Sequence, residues 1–112
     1  MLQITARTGD RVTARLPDHV ELEVVPALRA IGDRLIDEGC RHLVLDASDT
    51  VRLDSDGVAL LLAWYRRLER LEGTLSLTGV GEPPLSLLLR LGLDGVLGIT
   101  PGAGAGAPDA GA

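Results

Sequence analysis

Residues Arg52-Leu53-Asp54-Ser55-Asp56-Gly57, and the run they open from Val58 to about Glu72, decide how this chain reads. Asp and Ser carry side-chain oxygens that accept from the unpaired N–H groups of a first helical turn, and Gly57 lets the backbone bend or be approached closely. Those N–H groups, with the positive end of the helix dipole, favour an anion. A serine hydroxyl exposed there could take a phosphate, adding roughly −1.5 to −2 charges without a change of fold. In the run itself, Val58, Leu61, Leu62, Tyr65 and Leu68 recur at helical spacing and are expected to face a sheet. Ala59, Ala63, Arg66, Arg67 and Arg70 fall opposite, so that face is small near the helix start and basic further along. Small residues leave room for a docking partner, although a plain solvated face gives the same pattern. Trp64 stands at the stripe's edge and is expected to be partly buried.

Upstream, Leu2 to Arg7 and Val12 to Leu16 each alternate apolar and polar residues around the turn signal Thr8-Gly9-Asp10. The pair reads as an antiparallel hairpin with one buried face, stopped by Pro17-Asp18. From about Leu22 the period becomes helical. Val24, Leu28, Ile31 and Leu35 form a stripe with Arg29, Asp33 and Asp37 opposite, Pro26 in the first turn and Gly39 as the stop. His42-Leu43-Val44-Leu45-Asp46 reads as a strand buried on both faces, and Asp46 to Thr50 as a polar loop.

Downstream, Glu72-Gly73 ends the central helix and Thr74 to Thr78 alternates as a strand. Prolines at 83 and 84 precede a short helix, Leu85 to Leu91, with Leu85, Leu88 and Leu89 inward and Gly92 as its stop. Val96 to Ile99 is expected to be an edge strand. Residues 101–112, rich in Gly and Ala with no large apolar side chain, are expected to be a disordered tail, which leaves residues 1–100 as one domain. Strands alternating with helices after a hairpin predict an α/β fold: a mixed sheet of about four to five strands with about three helices packed on it.

Composition removes several function classes. With 46% apolar residues among 112, one core can form, and with Trp64 and Tyr65 the only aromatics it must be built of Leu, Val, Ile and Ala. A net charge of −5 and few aromatics argue against nucleic acid and anionic lipid as partners. The basic cluster Arg66, Arg67 and Arg70 reads as a solvated helix flank rather than a phosphate site. Cys40 is alone, so neither an intrachain disulfide nor a cysteine-based metal site is expected, and no apolar run approaches the ~20 residues of a membrane span. No leader opens the chain, so a cytoplasmic protein is expected.

Candidate chemistries are few. His19 and His42 lack metal-ligand spacing and read as structural or solvated, so neither metal nor cofactor is expected. A nucleophilic Ser55 with His19 as base and Asp18 or Asp46 as orienter can be written, but no nucleophile-elbow glycine pattern precedes Ser55. Asp54 and Asp56 more naturally cap the helix than act as acid and base. A non-enzymatic module is expected.

In order, the opening hairpin, a helix, the strand Arg41-His42-Leu43-Val44-Leu45-Asp46, Leu53-Asp54-Ser55-Asp56-Gly57-Val58 leading into a Leu-rich helix, then Leu75 to Val80 and a helix ending Leu91-Gly92-Leu93 resemble the STAS domain. Within that group the chain looks most similar to bacterial anti-sigma factor antagonists, over roughly residues 2–100. The resemblance implies a switch. The serine matching Ser55 is phosphorylated by an anti-sigma factor that is itself an ATP-dependent serine kinase of histidine-kinase-like fold. Unphosphorylated, the antagonist binds that kinase and frees the sigma factor, so transcription proceeds, and a phosphatase resets the cycle. Asp18, Asp54, Asp56, Gly57, Ala59, Ala63 and Arg66 are the residues that such a partner would contact. Two positions depart from the family pattern. Asp56 follows the serine where Ser or Thr is usual, and Leu16-Pro17-Asp18-His19 replaces Gly-x-Leu-Asp, so that Asp18 stands in for the acidic contact. Two alternatives remain open: a STAS-like accessory subunit of an ABC-type lipid transporter, which grips an ATPase constitutively, and a scaffold in which Asp56 has abolished switching.

Overall fold

A computed structural model of the chain describes residues 1–102. Strands β1 (Gln3–Thr8) and β2 (Arg11–Arg15) form the expected antiparallel hairpin, with Gly9 at φ +60 in its turn, a left-handed value that glycine adopts without a Cβ clash. A two-residue strand β3 (His19–Val20) precedes helix α1 (Val25–Asp37). Strand β4 (His42–Asp46) follows, then β5 (Arg52–Leu53), helix α2 (Ser55–Arg70), strand β6 (Thr74–Val80), helix α3 (Pro84–Arg90), a 3-10 turn at Leu93–Gly95 and strand β7 (Gly98–Pro101). The main sheet has the order β1-β2-β4-β6-β7, parallel except for the hairpin.

Register explains where the core lies. Val12, Leu43 and Leu75 are aligned across three strands, as are Ala14, Leu45 and Leu77, and all six are buried. The intervening row, Thr13, Val44 and Ser76, points the other way and is only half-buried. The strand β4 is therefore covered on one face, not on both as its sequence suggested. Three consecutive apolar residues imply two covered faces, but here the helices cover only the row that carries Leu43 and Leu45.

The two long helices lock together through one close approach. Trp64 on α2 is 1% exposed, and a Cβ on Gly32 of α1 would lie 2.2 Å from the indole Cζ2. The indole Nε1–H donates to Asp33 Oδ1 at 3.2 Å, and Arg67 pairs with Asp37 and lies 3.8 Å from Asp33. Several expectations shift accordingly. Trp64 and Leu60 are core residues, whereas Leu62 and Tyr65 are only partly buried. On α1 the buried set is Val25, Leu28, Gly32, Leu35 and Ile36, so the stripe is rotated from the expected one, and Asp33 bonds α2 instead of facing solvent. Burial of a large indole decides the helix phase here, because the area it removes from water outweighs that of any neighbouring side chain.

Smaller corrections follow at the C-terminal end. Leu89 is exposed and Pro84 takes its place inside. The last strand begins at Gly98 rather than Val96, because residues 93–95 form the 3-10 turn, which buries Leu93, while Leu97 after it is also buried. Pro101 lies within β7, and the remainder of the expected tail, residues 103–112, falls outside the described residues. Among the described residues no helix is long and apolar enough to cross a membrane.

Candidate functional site

Three short segments meet where α2 begins. Strand β3 runs parallel to β5, pairing His19 with Arg52 and Val20 with Leu53, and this brings the end of the hairpin strand against the start of α2. Backbone bonds hold the junction: Val51 N–H and Arg52 N–H donate to the Asp18 carbonyl, and Asp54 N–H donates to the Val20 carbonyl. Thr50, a buried polar residue, donates its hydroxyl to the Pro17 carbonyl at 2.8 Å. Two residues per strand are too few to show a period in the sequence, which is why this second sheet went unforeseen.

Asp54 caps the helix. Its Oδ1 accepts from Gly57 N–H at 2.9 Å and its Oδ2 accepts from Leu22 N–H at 3.0 Å, so one carboxylate ends α2 and ties down the loop that leads into α1. The Gly57 N–H bond, with a smaller contribution from Leu22, holds the Asp54 carboxyl below the ordinary carboxylate range. Because Asp54 does the capping, Ser55 does not. Ser55 is the first residue of the helix, exposed, and among the described residues no side-chain hydrogen bond engages its hydroxyl. Asp56 is the acidic residue of the first turn, also exposed.

Gly57 has a different role from its neighbours. A Cβ there would lie 2.3 Å from the Val20 carbonyl oxygen and 2.8 Å from Leu53 Cδ1, so the residue is glycine because α2 packs directly on β3. It is buried, and it contributes to a surface only by holding Ser55 and Asp56 in place.

From Ser55 the helix presents Ala59, Ala63 and Arg66 in succession, with Ala59 and Arg66 exposed and Ala63 half-buried. Ser55, Ala59 and Arg66 stand four and eleven positions apart, which places them on one side of a 3.6-residue helix. The arginines divide: Arg67 is engaged by α1, whereas Arg66 and Arg70 have no ion pair among the described residues. Asp18 is exposed at the β3 entrance. Sequence reading missed Leu22, an apolar side chain 58% exposed, whose backbone is fixed by Asp54. Its only signal was that it belongs to no apolar stripe.

A hydrolytic arrangement is not assembled. The His19 imidazole faces Glu21 at 3.8 Å, Glu21 also receives Arg52 at 3.3 Å, and Asp46 is engaged by Ser48 N–H and Arg15. Among the described residues no hydrogen bond joins Ser55 to a histidine, and no group of three or more His, Cys, Asp or Glu could hold a metal ion. The geometry offers instead a free hydroxyl on a rigid helix start, with acidic side chains beside it and a small-residue face behind it.

Comparison with known proteins places this arrangement in context. A family model described as "Mlab, STAS domain" matches residues 4–100. No curated protein matches the chain. Among solved structures, the anti-sigma factor antagonist SpoIIAA in its unphosphorylated form superposes with a TM-score of 0.78 at 23% identity, over 88% of this chain and 87% of that one. Phosphorylated SpoIIAA, a Bacillus cell fate determinant, gives 0.72 at 23% identity over 88% and 90%. An anti-sigma factor antagonist from Mycobacterium paratuberculosis gives 0.79 at 20% identity over 90% and 85%.

Proposed function

The chain belongs to the STAS domain family, and on that premise we propose that it is an anti-sigma factor antagonist whose partner is an anti-sigma factor serine kinase. In this reading the kinase transfers the γ-phosphoryl group of ATP to the Ser55 hydroxyl: the bond to ADP breaks, the Oγ–P bond forms, and the hydroxyl proton passes to a base of the kinase. Unphosphorylated, the protein engages the kinase through Asp18, Asp54, Asp56, Ala59, Ala63 and Arg66 and so releases a sigma factor. Phosphorylated, it lets go, and a phosphatase restores it. The protein itself performs no chemistry.

The observation that carries this reading is the division of labour between Asp54 and Ser55. A helix start whose cap is supplied by Asp54 leaves the next residue's hydroxyl with no structural task. A dianion at Ser55 would join Asp54 and Asp56 in one small area, and a partner whose surface fits the neutral hydroxyl meets like charge and bulk instead. The fold, shared with antagonists solved in both phosphorylation states, supports the same reading. Incubation with the cognate kinase and ATP, followed by mass-spectrometric mapping, tests it. One phosphate at Ser55, lost in Ser55→Ala, is expected, and equal modification of Ser55→Ala would remove this site from consideration.

A second reading keeps the surface and drops the switch, because the exposed Asp56 already supplies a fixed negative charge beside Ser55. The protein would then be a constitutive subunit or scaffold, including one that grips the ATPase of a lipid transporter. That reading requires the same partner affinity for Ser55→Glu as for the natural protein.

A further inference from the structure

We propose that the outer edge of β1 is a self-association edge, along which two copies of this chain pair β1 to β1, antiparallel, across a two-fold axis. This inference is independent of the Ser55 site. Strand β1 is the terminal strand of the sheet, and all six of its residues are exposed. Among the described residues no strand pairs with its outer side. Six residues of strand span about 20 Å, and such an edge presents a row of unpaired N–H and C=O groups. It carries no proline, a residue that commonly blunts such edges, and a single charged side chain, Arg7.

The edge also has an apolar flank. Ile4, 43% exposed, lines a groove of about 380 Å³ between β1 and α1 together with Ile31 and Leu35. Arg7 and Arg34 stand at the same groove beside Glu38, and Arg7 reaches Glu38 at 3.5 Å. Both signs of charge therefore lie on one patch, which suits it to an inverted copy of itself: Arg34, without an ion pair among the described residues, meets Glu38 of the other protomer, and reciprocally. A partner of single charge sign would leave one set opposed. The other end of the sheet does not match, because β7 has four residues and includes Pro101, which lacks an N–H. With one competent edge per molecule the pairing is isologous and closes as a dimer instead of extending into a filament. The shift of register between Ile4 and Ala6 adds local twist to the strand.

Sedimentation of the full chain tests the proposal. A species of twice 11.8 kDa is expected to form as concentration rises towards about 1 mM, the weak end of specific association, and to disappear in both Ile4→Lys and Ile31→Lys with circular dichroism unchanged. Leu89→Lys, on the exposed side of α3, is expected to leave the dimer intact. A single 11.8 kDa species across that range would overturn the proposal, and so would a dimer that survives both isoleucine substitutions or is abolished by Leu89→Lys alone.

Discussion

Asp54 accepts the backbone N–H of Leu22 at 3.0 Å across 32 positions of sequence, while its other oxygen caps α2 through Gly57. The start of α2 is thus fixed to the segment that leads into α1, and the exposed Leu22 side chain is held close to the capped helix start. Asp54→Ala removes both bonds. A loss of about 1 to 2 kcal/mol is expected from the cap, with little added by the exposed Leu22 N–H, which can turn to water, and a smaller loss for Asp54→Asn. Urea unfolding measures both.

The same carboxylate sets an acid limit. Its pKa is depressed in the folded state, chiefly by Gly57 N–H, and that of Asp46 is depressed chiefly by its hydrogen bonds with Ser48. A depressed pKa contributes stability that is fully present above the unfolded-state value of about 3.9 and is lost as pH falls through the folded value. Stability is therefore expected to be insensitive to these two groups from about pH 5 to 7 and to decline below about pH 4. The decline should be shallower in Asp54→Asn. Unfolding midpoints measured from pH 7 to 3 give the comparison.

Gly57 separates close packing from chain flexibility. Gly57→Ala places a methyl group 2.3 Å from the Val20 carbonyl oxygen, so a loss of about 1 to 3 kcal/mol is expected, with displacement of β3. Gly81, around which a Cβ would meet nothing within 4 Å, is the control: Gly81→Ala should be neutral or slightly stabilising. Thermal melts of the two variants should move in opposite directions or differ by several degrees.

The arginines of α2 should also part company. Arg67 pairs with Asp37 and donates to the Asp33 carbonyl, so Arg67→Ala is expected to weaken the α1–α2 contact by about 1 kcal/mol and to alter the Trp64 emission spectrum. Arg66→Ala should leave both unchanged, since the side chain is exposed and without an ion pair among the described residues. Any effect of Arg66→Ala belongs to partner binding. Chemical unfolding followed by Trp64 fluorescence reports on both variants.

Legibility from sequence followed the length and contrast of each signal. The hairpin could be read because Leu2 to Leu16 alternates around Gly9, and α2 because its apolar spacing, from Val58 to Leu68, extends over about three turns. The order of elements then pointed to the family. What stayed hidden was decided by contacts distant in sequence. Trp64 turns inward because Gly32 leaves space for it on another helix, and Asp33 and Arg67 read as solvated because nothing local in the sequence shows that they face each other. Val44 appeared as apolar as Leu43, but only one face of the sheet is covered. At the site, the types Asp, Ser and Gly announced a helix start, yet which of Asp54 and Ser55 would cap depended on the position of Leu22 and β3.

On the proposed function, the Ser55 hydroxyl, released from capping by Asp54, decides whether a second protein can dock. The decisive measurement is the affinity of the cognate anti-sigma factor kinase for the natural protein, Ser55→Glu and Ser55→Ala, compared by titration calorimetry with folding of all three verified. Binding at least tenfold weaker is expected for Ser55→Glu, about 1.4 kcal/mol or more, with Ser55→Ala close to the natural protein. Equal affinity of all three proteins would overturn that role for Ser55.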